Sequence, residues 1–457
     1  MQVRQQAPST SWRFVILIMC FAGLGGVLYG YDIGVIAGAL TFMQSDIHLT
    51  TAQLSLIVAA VLGGGSIATL LSGSLADWWG RKKMILAAAL IFSLGIITLI
   101  SAHSFHMILI GRLIQGIGVG VVIIVVPLYL VEIIPAQFRG RAISVFQCFL
   151  TAGILLASVV DLIFIRSGNW RAMFACALIP SIILFFGTIK LSESPRWLFK
   201  KGREKEARQV LALCASEEEV AHEMQEMADI ANFNKQHKKI NVLQKRYMLP
   251  FFIALAIACL NQLTGINSLL QFSTYILKQS GLDSNLFAML GTVGITLVNF
   301  LTTLLAFFLI DKVGRRPLMN FGTAGIVVSL AFCGAINFFM PVGSTQGYLI
   351  IFGMLVYILS YAIGPGVIVW LVVSEMLPTV IRGKGMSICL FVNSMISTVL
   401  ASLFLTISQH IGYAGNFWLC SFFTIFYFIL VYKYLPESRG KTLEEIEVEF
   451  KDRAESN

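Results

Sequence analysis

Twelve apolar segments, each long enough to cross a lipid bilayer, limit what this chain can become. They run at about 14–42, 52–76, 84–102, 106–132, 142–165 and 171–191, and resume at about 248–277, 286–310, 317–340, 347–374, 385–409 and 414–435. A helix rises ~1.5 Å per residue and the hydrocarbon core is ~30 Å thick, so roughly twenty apolar residues suffice to span it. In that medium backbone amides and carbonyls must pair within their own segment, which selects the α-helix. The order is six segments, an interruption, then six. The expectation is an all-α membrane protein with twelve transmembrane helices: a six-helix bundle over 1–191, a helical linker over 192–247, a second six-helix bundle over 248–435 and a tail over 436–457. A chain that is 57% hydrophobic and only 12% charged has no place among ordinary soluble domains.

The net charge of +9 would suit a nucleic-acid partner, but its distribution does not. All but four of the 33 lysines and arginines fall on one side of the segments; Arg166, Arg171 and Lys278 lie in loops of the other side, and Arg112 lies within a span. This is the positive-inside pattern, which puts both termini and the linker in the cytoplasm. The first apolar run is too long for a signal-peptide core and reads as an uncleaved span. The linker carries Ala207, Val210, Leu211 and Cys214, then Val220, Met224, Met227 and Ala231, at the spacing of short amphipathic helices. The eight cysteines show no metal-ligand spacing and read as small core residues rather than disulfide partners.

The two halves repeat one another. Asp77-Trp78-Trp79-Gly80-Arg81 follows the second segment, and Asp311-Lys312-Val313-Gly314-Arg315 follows the eighth. Glu132, with Arg139 and Arg141, follows the fourth, and Glu375, with Arg382, follows the tenth. Parallel six-span repeats with a site between them near the midplane are a transporter architecture. The paired acids and bases suit a cytoplasmic gate that latches the halves together and lets go; the other reading is that the arginines only fix topology.

Ionisable and polar groups inside spans are the candidate functional residues, because burying them is costly. Asp32 sits in the first segment beside Gly26, Gly30, Gly34 and Gly38, a spacing that lets another helix approach closely. Its alternative is solvation near the outer surface. Asp32 and Arg112 fall at similar depths, consistent with a pair that binds and releases a proton; a fixed structural ion pair is the alternative. The seventh segment carries Asn261, Gln262, Thr264, Asn267, Ser268 and Gln271, with Gly265 as a possible helix break. Amides offer donors and acceptors to hydroxyl-rich ligands, or hydrogen-bond helices to one another. Trp370 follows Gly364-Pro365-Gly366 and could stack on the apolar face of a bound ligand or sit in an interfacial belt, the place assigned to Trp418.

These motifs, with Asp32-Ile33-Gly34-Val35-Ile36-Ala37-Gly38, Gly111-Arg112-Leu113-Ile114-Gln115-Gly116, Pro127-Leu128-Tyr129-Leu130-Val131-Glu132, Glu193-Ser194-Pro195-Arg196-Trp197 and Pro436-Glu437-Ser438-Arg439-Gly440, make the whole chain similar to the sugar porters of the major facilitator superfamily. Asp32, together with Asp161 at the outer end of the fifth span, most resembles the bacterial galactose-, arabinose- and xylose-proton symporters; passive glucose facilitators of the family carry an amide where Asp32 stands. The resemblance implies the major facilitator fold and sugar contacts at Gln147, Asn261, Gln262, Asn267, Asn299, Trp370 and Asn393. There are departures. Asn261 stands where glutamine is usual, Gln271-Phe272 replace a common Tyr-Tyr pair, Ser394 replaces a tryptophan, and Ile154 stands where some members place a glutamine.

The resulting expectation is a proton-coupled importer of a monosaccharide such as galactose, arabinose, xylose or glucose. It would be embedded in the plasma membrane (the inner membrane of a Gram-negative source), monomeric, and without enzymatic activity, metal or cofactor. A passive sugar facilitator and a membrane sugar sensor are the competing readings; the short tails disfavour the sensor.

Overall fold

The structure, a computed structural model, describes residues 12–134, 139–236, 244–282, 284–378, 381–437 and 439. In the first half the spans are Trp12–Ile47, Thr51–Trp79, Arg81–Ile100, Phe105–Ile133, Arg139–Ile163 and, in two pieces, Trp170–Ala175 with Leu178–Lys190. Linker helices Pro195–Lys200, Glu204–Leu211 and Glu217–Gln236 follow, with Leu211, Val220 and Met227 forming a small core of their own. The seventh span is broken at Gly265 into Lys245–Leu263 and Ile266–Gln271, then continues as Ser273–Gln279. Asn285–Val313 and Arg315–Phe339 are the eighth and ninth, and the tenth is broken at Gly364 into Ser344–Ile363 and Pro365–Met376. The last helical stretch, Arg382–Tyr434, has 53 residues, about 80 Å of helix and far more than one crossing needs. Gly412, at φ 72°, ψ 167°, folds it into the eleventh and twelfth spans.

The glycine stripe of the first span faces the fifth. A side chain at Gly26, Gly30 or Gly34 would run into the backbone carbonyl of Phe146, Leu150 or Ile154 respectively, so the two helices pack backbone to backbone. Each half repeats this plan: first on fifth and second on fourth, then seventh on the eleventh-to-twelfth stretch and eighth on tenth. Between halves, the second span packs on the eleventh and the fifth on the eighth.

The apolar core is divided unevenly. One cluster runs through the whole first half and continues into the part of the second half remote from the basic loops, through Leu269, Phe272, Ile326, Met354 and Phe404. A separate cluster, including Phe251, Met319, Val372, Cys389 and Val431, fills the second half near its basic end. The halves are therefore sealed against each other at the end opposite the basic loops. Leu405 N–H donates to Ser55 Oγ there at 3.3 Å, and the Ser66 and Thr398 hydroxyls meet at 3.3 Å nearer midspan.

Candidate functional site

A cavity of ≈ 340 Å³ lies between the two halves. Its walls continue from midspan toward the basic end, past Pro127 and Ile143 on one side and Val369 and Met386 on the other. All seven residues that the resemblance implied as sugar contacts line it: Gln147 from the fifth span, Asn261, Gln262 and Asn267 from the seventh, Asn299 from the eighth, Trp370 from the tenth and Asn393 from the eleventh. The break at Gly265, left-handed at φ 84°, sets Asn261 and Gln262 on one helix and Asn267 on the next. Thr264, just before the break, donates to Asn261 O at 2.7 Å. The break at Gly364 and Pro365 similarly starts a new helix whose second turn presents Trp370.

The amides are oriented by one another. Asn267 Nδ2 donates to Gln262 Oε1 at 3.1 Å and to Ser397 Oγ at 2.8 Å, and Asn261 Nδ2 reaches Tyr361 Oη at 3.4 Å. Asn261 Oδ1 and Asn393 Oδ1 are buried without a hydrogen-bond partner among the described residues. Unpaired buried acceptors are rare enough to call for an occupant that donates to them. Tyr29 and Tyr361 also line the cavity and were not foreseen, since an aromatic inside an apolar run looks like any core residue.

Toward the sealed end the cavity narrows into a smaller one of ≈ 60 Å³, where Asp32 appears in the wall with Gln271 and Ser397. Asp32 is 1% exposed, which removes the solvated alternative. Arg112 Nη1 donates to Asp32 Oδ1 at 2.7 Å and to Gln115 Oε1 at 3.0 Å, and its guanidinium lies 5.5 Å from the Phe174 ring centre. Arg112 Nη2 and Gln115 Nε2 have no partner among the described residues. A second buried carboxylate, Asp161, accepts from Gly38 N–H at 3.1 Å.

At the basic end of the first half, Arg81 pairs with Asp77 at 3.0 Å and with Glu132 at 2.7 Å, and Lys200 of the linker reaches Asp77 at 2.8 Å. In the second half Arg315 lies 3.7 Å from Glu375, and Arg382 Nε donates to Leu377 O at 3.1 Å. These contacts run within each half. The side chains of Arg139, Arg141 and Asp311 lie outside the described residues.

Two acids quoted in the sequence motifs, Glu193 and Glu437, take a role the sequence reading did not assign them: they cap helices. Glu193 Oε1 accepts from the Arg81, Lys82 and Ser194 amides at 2.9, 3.1 and 2.8 Å. Glu437 does the same for Arg315 and Arg316, each at 3.1 Å. Both acids follow the last span of their half, so the internal repeat was the signal that could have found this role.

The sugar (and other) transporter family profile matches residues 18–450. The glucose transporter GlcP of Staphylococcus epidermidis is 34% identical over 96% of this chain and 97% of its own length. The arabinose-proton symporter of Escherichia coli K12 is 31% identical over 95% and 93%. Among solved structures, the proton:xylose symporter XylE bound to 6-bromo-6-deoxy-D-glucose superposes with a TM-score of 0.80 at 26% identity, over 96% of this chain and 99% of that one. A partially occluded, inward-open XylE from E. coli gives 0.82 at 24% identity, over 94% and 100%, a likeness of fold. With this coverage, and with the spans and the inter-bundle cavity described above, the chain belongs to the sugar transporter family of the major facilitator superfamily.

Proposed function

We propose that the protein imports a monosaccharide, a hexose or aldopentose, together with a proton, by alternating access across a bacterial inner membrane with both termini in the cytoplasm. The observation that carries this reading is the cavity between the halves, ringed by amides from four spans, two of which keep buried acceptors unpaired. Gln147, Asn261, Gln262, Asn267, Asn299 and Asn393 would bind hydroxyls, and Trp370 would lie against the C–H face of the ring. The relatives named arabinose-proton and xylose-proton symporters, and the buried Asp32, support coupling to a proton.

Asp32 and Arg112 belong to one bundle, so rocking of the halves as rigid bodies does not by itself part them. What rocking changes is the wall opposite: Asn267, Gln271 and Ser397 come from the other half. Withdrawing that wall admits water, which stabilises separated charges and changes the carboxylate's hold on its proton. The groups at Asp77, Arg81, Glu132, Arg139, Arg141, Asp311, Arg315, Glu375 and Arg382 would form the cytoplasmic gate, pairing across the halves when these close at the basic end.

The test is uptake of labelled galactose, arabinose, xylose and glucose into proteoliposomes of the purified protein. At ~150 mV one proton charge supplies ~3.5 kcal/mol, roughly 300-fold accumulation at the limit. Accumulation of at least one sugar, abolished by a protonophore, is the expected result. Equilibration without accumulation would make the protein a passive facilitator, and no uptake by folded protein would refute the sugar reading.

A further inference from the structure

The narrow extension of the main cavity has a size and chemistry of its own. At ≈ 60 Å³ it is too small for a sugar ring but has room for a short substituent or a few waters. It opens from the main cavity past side chains that line both, among them Ile33, Ile123, Gln262 and Asn393. One part of its wall is apolar, with Ile33, Val61 and Val119; another is polar, with Asp32, Gln271 and Ser394. Gln271 is 2% exposed, and its Nε2 has no hydrogen-bond partner among the described residues. Its neighbour Asn267 has committed both Nδ2 hydrogens, to Gln262 and Ser397. Ser394 lines both cavities where they meet.

Building on the sugar-transport reading, we propose that this extension is a subsite for the exocyclic hydroxymethyl group of a hexose, with Gln271 as its specificity-determining residue. The ring lies among the amides of the main cavity. The arm points toward the sealed end, its methylene against Ile33 and Val61 and its hydroxyl accepting from Gln271 Nε2. A pentose fills the ring site alone and leaves the buried amide hydrogens of Gln271 unanswered. A site built around a hydroxyl discriminates against analogues that lack it, because its own polar group is left unpaired.

The experiment is competition against uptake of a labelled hexose by the purified protein in proteoliposomes. Galactose and glucose are compared with their 6-deoxy analogues and with the corresponding pentoses, arabinose and xylose. The better hexose should outcompete its 6-deoxy form and its pentose by roughly ten-fold or more, about what one buried hydrogen bond contributes. In Gln271→Leu that ratio should collapse to within about three-fold, the hexose losing most. The wild-type analogue series stands even if the variant does not fold. Pentose and 6-deoxy sugar competing as well as the hexose in the wild type, or an unchanged ratio in folded Gln271→Leu, would overturn the subsite while leaving sugar transport intact. Absence of binding by every monosaccharide would overturn both.

Discussion

Asp32 is held by a guanidinium that is itself short of partners, and this decides how its loss should read out. Arg112 spends Nη1 on Asp32 and Gln115, while Nη2 has no partner among the described residues. If the pair were only structural, Asp32→Asn would leave a buried cation uncompensated, at about 3–5 kcal/mol, and folded protein would be lost. If Asp32 carries the coupling proton, Asp32→Asn should remain folded and exchange sugar down its gradient, while proton-driven accumulation disappears. Counterflow and active uptake measured in the same vesicles separate the outcomes; accumulation that persists in the variant would refute the assignment. At this scale the sequence was informative where a residue was out of place. A carboxylate and an arginine in apolar runs are conspicuous, and so are amides clustered in the seventh span. Tyr29 and Tyr361 were invisible because their polar tips cannot be told from core aromatics without knowing which face meets the cavity.

Among the elements, the third and ninth spans begin in the same unusual way. Each is preceded by a glycine at positive φ, Gly80 at 98° and Gly314 at 101°, and neither N-cap residue supplies a side chain to the first amides. The acceptors arrive from just past the last span of each half, through Glu193 and Glu437, and a carboxylate at a helix N-terminus also complements the helix dipole. Replacing Glu193 with alanine leaves three amides without their acceptor and should cost about 1–3 kcal/mol. The measurement is the thermal unfolding midpoint in detergent, with Glu437→Ala as the counterpart in the other half; unchanged midpoints would show that water replaces the caps at no loss. The helices themselves were legible, because apolar runs of spanning length admit few alternatives. Gly265 announced its break through an unusually polar neighbourhood. The direct passage from the eleventh to the twelfth span through Gly412 was not legible, since Ile411 and Tyr413 gave no clue that a single non-helical residue would suffice.

For the whole molecule, the shared apolar core at one end and the divided core at the other define which way the cavity faces. Tying the second span to the eleventh where they already touch should hold the protein in this state. The Ser66 and Thr398 hydroxyls are 3.3 Å apart, so cysteines placed at both positions should form a disulfide on oxidation. Transport is expected to stop on oxidation and return with reductant, with the wild-type protein as control for its eight native cysteines; full transport by the oxidised pair would mean that the two spans need not part at midspan. The placement of the tryptophans has an optical consequence. Of the seven in the chain, Trp370 is the one that lines the cavity among the described residues, while Trp78, Trp79 and Trp418 are exposed at the bundle's outer surface. Their emission should report the surrounding detergent or lipid and stay constant when substrate is added. A sugar settling on the indole of Trp370 displaces water from its face and should change the intensity or colour of that one emitter. A titration followed by intrinsic fluorescence should therefore saturate with substrate in the wild type and go flat in Trp370→Phe, so that the protein carries its own dye for occupancy.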